Sequence, residues 1–175
     1  MAERIVTIFG TSRAKAGDEI FSIAQRTGEE LAKSGFTIAN GGYGGTMEAA
    51  AKGAAEAGGK IIGVTCSAFK SSTANKYTTR TIVTASLDER LDTLIKLGQA
   101  YVVLSGGTGT LLELAKVWEL KNKGFLEAGK PIILVGSFWK PLVDLVAIDD
   151  PDSSRCIKLA DSPEEAVELI VEDRW

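Results

Sequence analysis

Tyr101-Val102-Val103-Leu104-Ser105-Gly106-Gly107-Thr108-Gly109-Thr110-Leu111-Leu112-Glu113 decides the fold class. It joins a continuously apolar run to a glycine loop, and the loop to a helical segment. A run that is apolar at every position reads as a strand buried on both faces, and such strands belong to parallel sheets covered by helices. The glycine loop then delivers free backbone N–H groups at a helix start, which favours an anionic ligand. The same strand, loop and helix order recurs upstream. Phe36-Thr37-Ile38-Ala39 leads into Asn40-Gly41-Gly42-Tyr43-Gly44-Gly45-Thr46 and then an Ala-rich segment.

Working outward, further apolar runs are Ile5-Val6-Thr7-Ile8-Phe9, Lys60-Ile61-Ile62-Gly63-Val64, Pro131-Ile132-Ile133-Leu134-Val135 and a weaker Cys156-Ile157-Lys158-Leu159. Ile82-Val83 adds a short strand. Helical spacing occupies residues 19–33, 47–57, 87–97, 111–122, 141–146 and 163–171. Alternation of strand and helix throughout predicts an α/β domain with right-handed crossovers. Asp149-Asp150-Pro151-Asp152-Ser153-Ser154 reads as a surface connection. No repeat or linker divides residues 1–175, so one domain is expected.

Composition narrows the chemistry. The chain has 175 residues, with 20 basic and 23 acidic side chains for a net charge of −3. Apolar residues make up 45% and charged residues 25%, an ordinary globular balance. With no His in the chain, Ser-His-Asp triads, Cys-His dyads and His-based zinc motifs are excluded. Cys66 and Cys156 are too far apart in sequence to form a Cys-x-x-Cys site. Two lone cysteines and no apolar leader predict a cytoplasmic protein. No apolar run reaches the roughly 18 residues that would span a bilayer, so no membrane association is expected. Mild acidity leaves no footprint for nucleic acid.

In a parallel α/β sheet, ligands sit beyond the carboxyl ends of the strands. Three loops there stand out. Gly10-Thr11-Ser12-Arg13-Ala14-Lys15-Ala16-Gly17 offers hydroxyls, cations and a helix start to an anion, with Thr11 and Ser12 as candidates; the alternative is a polar loop capped by Asp18. The second loop contributes Gly42, Gly44, Gly45 and Thr46 as phosphate or ribose contacts, or else forms a sterically demanding turn. The third contributes Gly106, Gly107, Thr108, Gly109 and Thr110. Neither glycine loop fits the dinucleotide fingerprint or the ATPase loop, so a mononucleotide held from two sides is expected. Glu113 follows Thr110 by three, which suits either a capping box or a carboxylate facing the ligand. Arg90 lies beside the apolar stripe of a helix capped by Ser86 and Glu89, where it meets an anionic ligand, snorkels or joins a structural ion pair.

Together these residues resemble the LOG family, the cytokinin-activating nucleotide phosphoribohydrolases formerly called lysine decarboxylase-like. Its Pro-Gly-Gly-x-Gly-Thr-x-x-Glu signature is matched from Gly106 to Glu113, with Ser105 in place of Pro. Of the helix motif Met-His-Glu-Arg-Lys, Glu89-Arg90 is present, and Leu87, Asp88 and Leu91 replace the rest. Gly41-Gly42-Tyr43-Gly44-Gly45-Thr46-Met47, Gly129-Lys130-Pro131 and Ser137-Phe138-Trp139-Lys140-Pro141-Leu142 are also similar. The resemblance covers roughly residues 4–146. It implies a Rossmann-like single domain with a mainly parallel sheet of six or seven strands. It further implies hydrolysis of a nucleoside 5′-monophosphate to free base and ribose 5-phosphate, with Glu113 and Arg90 catalytic and no metal or other cofactor. The same scaffold serves molybdenum cofactor carrier proteins, so the alternative is a non-catalytic binder of that cofactor or another phosphorylated pterin. A homodimer or homotetramer is expected on the same ground.

Overall fold

A computed structural model describes residues 3–70, 73–127 and 129–173. The elements run β1 (Ile5–Phe9), α1 (Glu19–Lys33), β2 (Thr37–Asn40), α2 (Thr46–Glu56), β3 (Ile61–Cys66), β4 (Arg80–Thr84), α3 (Leu87–Leu97), β5 (Ala100–Val103), α4 (Thr108–Asn122), β6 (Ile132–Val135), α5 (Lys140–Asp149), β7 (Ile157–Ala160) and α6 (Pro163–Glu172). All seven strands pair in parallel, in the order β4-β3-β2-β1-β5-β6-β7. The fold is Rossmann-like.

Strand alternation builds two cores, one on each face. Val6, Ile8, Ile38, Val102, Leu104 and Ile133 point toward α1, α2 and α6. Phe9, Ala39, Ile62, Tyr101, Val103 and Leu134 point toward α3, α4 and α5. This two-sided burial is why the central strands read as unbroken apolar runs. The edge strand β4 is largely exposed along its length, which matches its weak apolar signal. The 149–154 stretch is not an irregular loop: Pro151–Cys156 winds as a 3-10 helix, and Ser153 is buried where the Trp118 indole donates to its carbonyl at 2.8 Å. No helix among the described residues is long and apolar enough to cross a membrane.

Chain order reverses direction between β1 and β5. From β1 the sheet grows outward through β2, β3 and β4; from β5 it grows the other way. The helices that follow this central pair, α1 and α4, pack on opposite faces of the sheet and leave a crevice at the strand ends.

Candidate functional site

The loop after β1 is the centrepiece of the crevice and is pinned from both sides. The Thr11 N–H donates to the Ser105 carbonyl at 3.1 Å, tying it to the loop after β5. The Thr11 carbonyl accepts from the Thr46 N–H at 2.9 Å and from Thr46 Oγ1 at 3.0 Å, tying it to the loop after β2. Gly45, at φ +68°, presses against the Thr11 and Ser12 backbone; a Cβ there would overlap it. Arg13 N–H donates to Thr11 Oγ1 at 3.1 Å, closing a local turn that sets Arg13 at the cavity wall. The Asp18 side chain does not cap α1; it accepts from the Lys15 N–H at 2.8 Å and stiffens the same loop.

The loop after β2 is held by two amide side chains. Asn40 accepts from the Gly42 N–H at 2.8 Å and donates to the Met47 carbonyl at 3.0 Å. Asn75 donates to the Gly42 and Tyr43 carbonyls at 3.2 and 3.0 Å. The Tyr43 hydroxyl accepts from the Cys66 N–H at 2.8 Å. The loop after β5 ends at Gly107, whose extended backbone (φ −94°, ψ −153°) lets α4 begin at Thr108. The first N–H groups of α4 therefore point into the crevice without intrahelical partners.

This start corrects the capping-box expectation. Leu111 N–H already donates to the Gly107 carbonyl at 2.9 Å, so Thr110 lies inside the first turn and Glu113 lies beyond it. Glu113 caps nothing. Its side chain, 16% exposed, reaches across the cavity to Arg90, with Oε1 3.9 Å from Nη1. Burial pushes the Glu113 carboxyl up to about 7, against the opposing pull of the Arg90 cation.

Arg90 comes from α3, whose start forms half of the expected box: Ser86 Oγ accepts from the Glu89 N–H at 3.1 Å, while the Glu89 carboxylate reaches one residue further back and accepts from the Ala85 N–H at 2.8 Å. Arg90 is buried to 7% exposure and donates from Nε to the Val64 carbonyl at 2.8 Å. Its guanidinium carbon lies 5.4 Å from the Tyr43 ring centre and 5.7 Å from that of Phe69. Gly41 is glycine because a Cβ there would overlap Arg90 Nη2. Arg90 is thus both a fixed structural donor and a cavity-facing cation, and the snorkelling alternative does not apply.

These groups face one cavity of about 1160 Å³. Thr11, Ser12, Gly44, Gly106, Gly107, Thr108, Gly109, Thr110, Arg90 and Glu113 all line it. Gly42, Gly45 and Thr46 do not. Thr46 is 1% exposed and directs both donors to Thr11, so these three residues shape the loop from behind. Of the two cations expected in the loop after β1, Arg13 lines the cavity and Lys15 does not; Tyr43, Phe69 and Phe138, which the sequence did not single out as contacts, also line it. Phe69 and Phe138 follow β3 and β6, so the rule that ligands sit at strand ends was the signal available for them.

Residues 3–167 match the SLOG cluster4 family. A cytokinin riboside 5′-monophosphate phosphoribohydrolase of Rhodococcoides fascians is 27% identical over 146 residues, covering 81% of this chain and 73% of that protein. One of the same name from Mycobacterium tuberculosis is 32% identical over 120 residues, covering 67% of this chain and 63% of that protein. The solved structure of the molybdenum cofactor binding protein of Rippkaea orientalis superposes with a TM-score of 0.80 at 26% identity, over 98% of each chain.

Proposed function

The chain belongs to the SLOG cluster4 family, and from that premise we propose that it hydrolyses the N-glycosidic bond of a nucleoside 5′-monophosphate to free base and ribose 5-phosphate. The observation that carries the reading is the Arg90–Glu113 pair in the same crevice as the amino terminus of α4. The phosphate sits on the free amides of that terminus, with the Thr108 and Thr110 hydroxyls beside it and Arg13 opposite. The ribose lies against Thr11, Ser12 and Gly44, which brings its anomeric carbon toward Glu113.

As the bond to the base lengthens, positive charge spreads over the anomeric carbon and ring oxygen. The Glu113 carboxylate stabilises that charge and orients the attacking water. Arg90 donates to the departing base. The water oxygen bonds to the anomeric carbon, the bonding pair leaves with the base, and the water proton ends on the base nitrogen. Burial strengthens both interactions, because the carboxylate and guanidinium act where water screens them little.

The test is base release from nucleoside 5′-monophosphates by the wild-type chain and by Glu113→Gln. The wild type releases base; the variant is slower by roughly a hundredfold while retaining affinity. Equal rates for the two proteins would remove Glu113 from the chemistry.

A second reading, carriage of a phosphorylated pterin such as molybdenum cofactor, is favoured by a specific observation. The superposition on the Rippkaea orientalis protein covers nearly the whole chain, and the cavity of about 1160 Å³ is larger than the roughly 300–1,000 Å³ of most small-molecule sites. A carrier shows a melting-temperature shift with molybdenum cofactor and no base release from any nucleotide.

A further inference from the structure

We propose that the base-binding flank of the cavity reads aromatic surface and not the hydrogen-bonding edge of the base, so that one site accepts nucleoside 5′-monophosphates of different bases. The substrate class rests on the hydrolytic reading above. Strand order divides the cavity. The loops after β2 and β3, together with α3, lie on one side of the central β1–β5 crevice. That flank presents Tyr43, Phe69, Leu87 and Leu91 around the Arg90 guanidinium. Phe69 and Leu87 remain 39% and 45% exposed there, which is apolar area with no partner in the chain's own core. The Tyr43 and Phe69 rings stand 5.9 Å apart, tilted by 45°.

The polar side chains of this flank are committed, apart from the two Arg90 Nη groups. The Tyr43 hydroxyl is engaged by the Cys66 backbone, and Arg90 Nε by the Val64 carbonyl. Asn40 and Asn75 carry the side chains best suited to read a base edge, and both hold the backbone of the β2 loop in place. Among the described residues that line the cavity there is no Asn, Gln, Asp or Lys. What is left for the base is ring face, guanidinium face, aliphatic wall and the Arg90 Nη donors, which meet a ring-nitrogen or carbonyl acceptor that every one of these bases carries and so do not tell them apart. Every base has a π-face, so stacking tolerates base identity. A site that hydrogen-bonds a substrate group rejects the analogue lacking it by roughly 10⁴-fold or more, whereas an apolar wall rejects near-isosteres by only about 10².

The test measures kcat/KM and Kd for adenosine, guanosine, inosine, cytidine and uridine 5′-monophosphates on the full chain, for wild type, Phe69→Leu and Phe69→Ala. The three purine nucleotides are expected within about tenfold of one another, with the pyrimidines weaker because their stacking face is smaller. Phe69→Ala weakens the three purine nucleotides alike and the two pyrimidine nucleotides less, and Phe69→Leu recovers part of the loss. A preference of more than a hundredfold among the purines overturns the proposal, and so does an unchanged panel in Phe69→Ala. If no base is released but the Kd values follow the expected pattern, the hydrolytic reading falls and the aromatic flank stands. If none of the five binds, both fall.

Discussion

Glu113 carries two opposed consequences of one environment. Its carboxyl is raised from 4.5 to about 7 by burial, so between those values the folded chain holds a proton that the unfolded chain has released. Stability linked to this group is therefore complete below about pH 4.5 and is lost as pH rises through about 7. Glu113→Gln is permanently neutral and escapes that loss. At pH 8 it should be more stable than wild type by about 3 kcal/mol at most, with little difference at pH 4.5. Urea unfolding at the two pH values measures this, and a variant equally destabilised at both contradicts it. Activity runs the other way. The proposed chemistry uses the ionised form, so kcat/KM should rise as pH increases through about 7 and should be low and flat in Glu113→Gln. A buried charge that harms the fold while serving the site is the trade expected of functional residues.

Gly41 tests Arg90 without touching it. A new Cβ would strike the ends of two side chains, Arg90 Nη2 and Met47 Sδ, and no backbone, so Gly41→Ala displaces the guanidinium at the cost of straining its Val64 hydrogen bond and shifting Met47. Base release should fall at least tenfold in the folded variant, with the melting temperature lowered but the transition still cooperative. A normal rate in a folded Gly41→Ala would show that Arg90 placement does not matter to turnover.

Among the elements, α1 and α2 approach so closely that their small residues become obligatory. A Cβ on Gly28 would overlap the Ala50 carbonyl, and one on Gly53 would overlap the Gln25 carbonyl. Ala49, Ala50, Ala51 and Ala54 of α2 are fully buried as well. This packing positions the amino end of α2, where Gly45 and Thr46 clamp the β1 loop. Replacing a mid-helix glycine by alanine normally stabilises a helix by about 1 kcal/mol. Here the clash is with backbone that cannot rotate away, and overpacking costs roughly 1–3 kcal/mol. Gly53→Ala should therefore be net destabilising, seen as a lower urea midpoint with an unchanged slope; a raised midpoint would mean that the helices can separate cheaply.

For the molecule as a whole, the crevice brings together one carboxylate, two arginines, hydroxyls and amides among the described lining residues. Glu113 is the one carboxylate among the described lining residues, burial disfavours its charged form, and the chain has no His to assist it as a cation ligand. Base release should stay within twofold in excess EDTA. Loss of activity on chelation, with recovery on adding magnesium, would place a metal at the phosphate and overturn the present assignment of roles.

Local pattern determined much of this protein. Unbroken apolar runs, buried on both faces, made the central strands legible, and the glycine loops after β2 and β5 marked the strand ends where a ligand sits. Ser86 and Glu89 marked the start of α3, and the run from Gly106 to Glu113 carried the family likeness. These signals are local because each depends on residues within a turn or a strand of one another. Tertiary structure alone decided the rest. Only strand order makes β1 and β5 neighbours, so that Thr11 meets Ser105. Only folding reveals that Thr46 faces Thr11 and not the cavity, that Arg90 is anchored on Val64, and that Gly107 opens α4 early enough to carry Glu113 past the cap and into the cavity. The Thr11–Thr46 and Arg90–Val64 contacts join residues 35 and 26 positions apart. Hydrophobic periodicity fixes which face of an element is buried, but not which distant loop that face will meet.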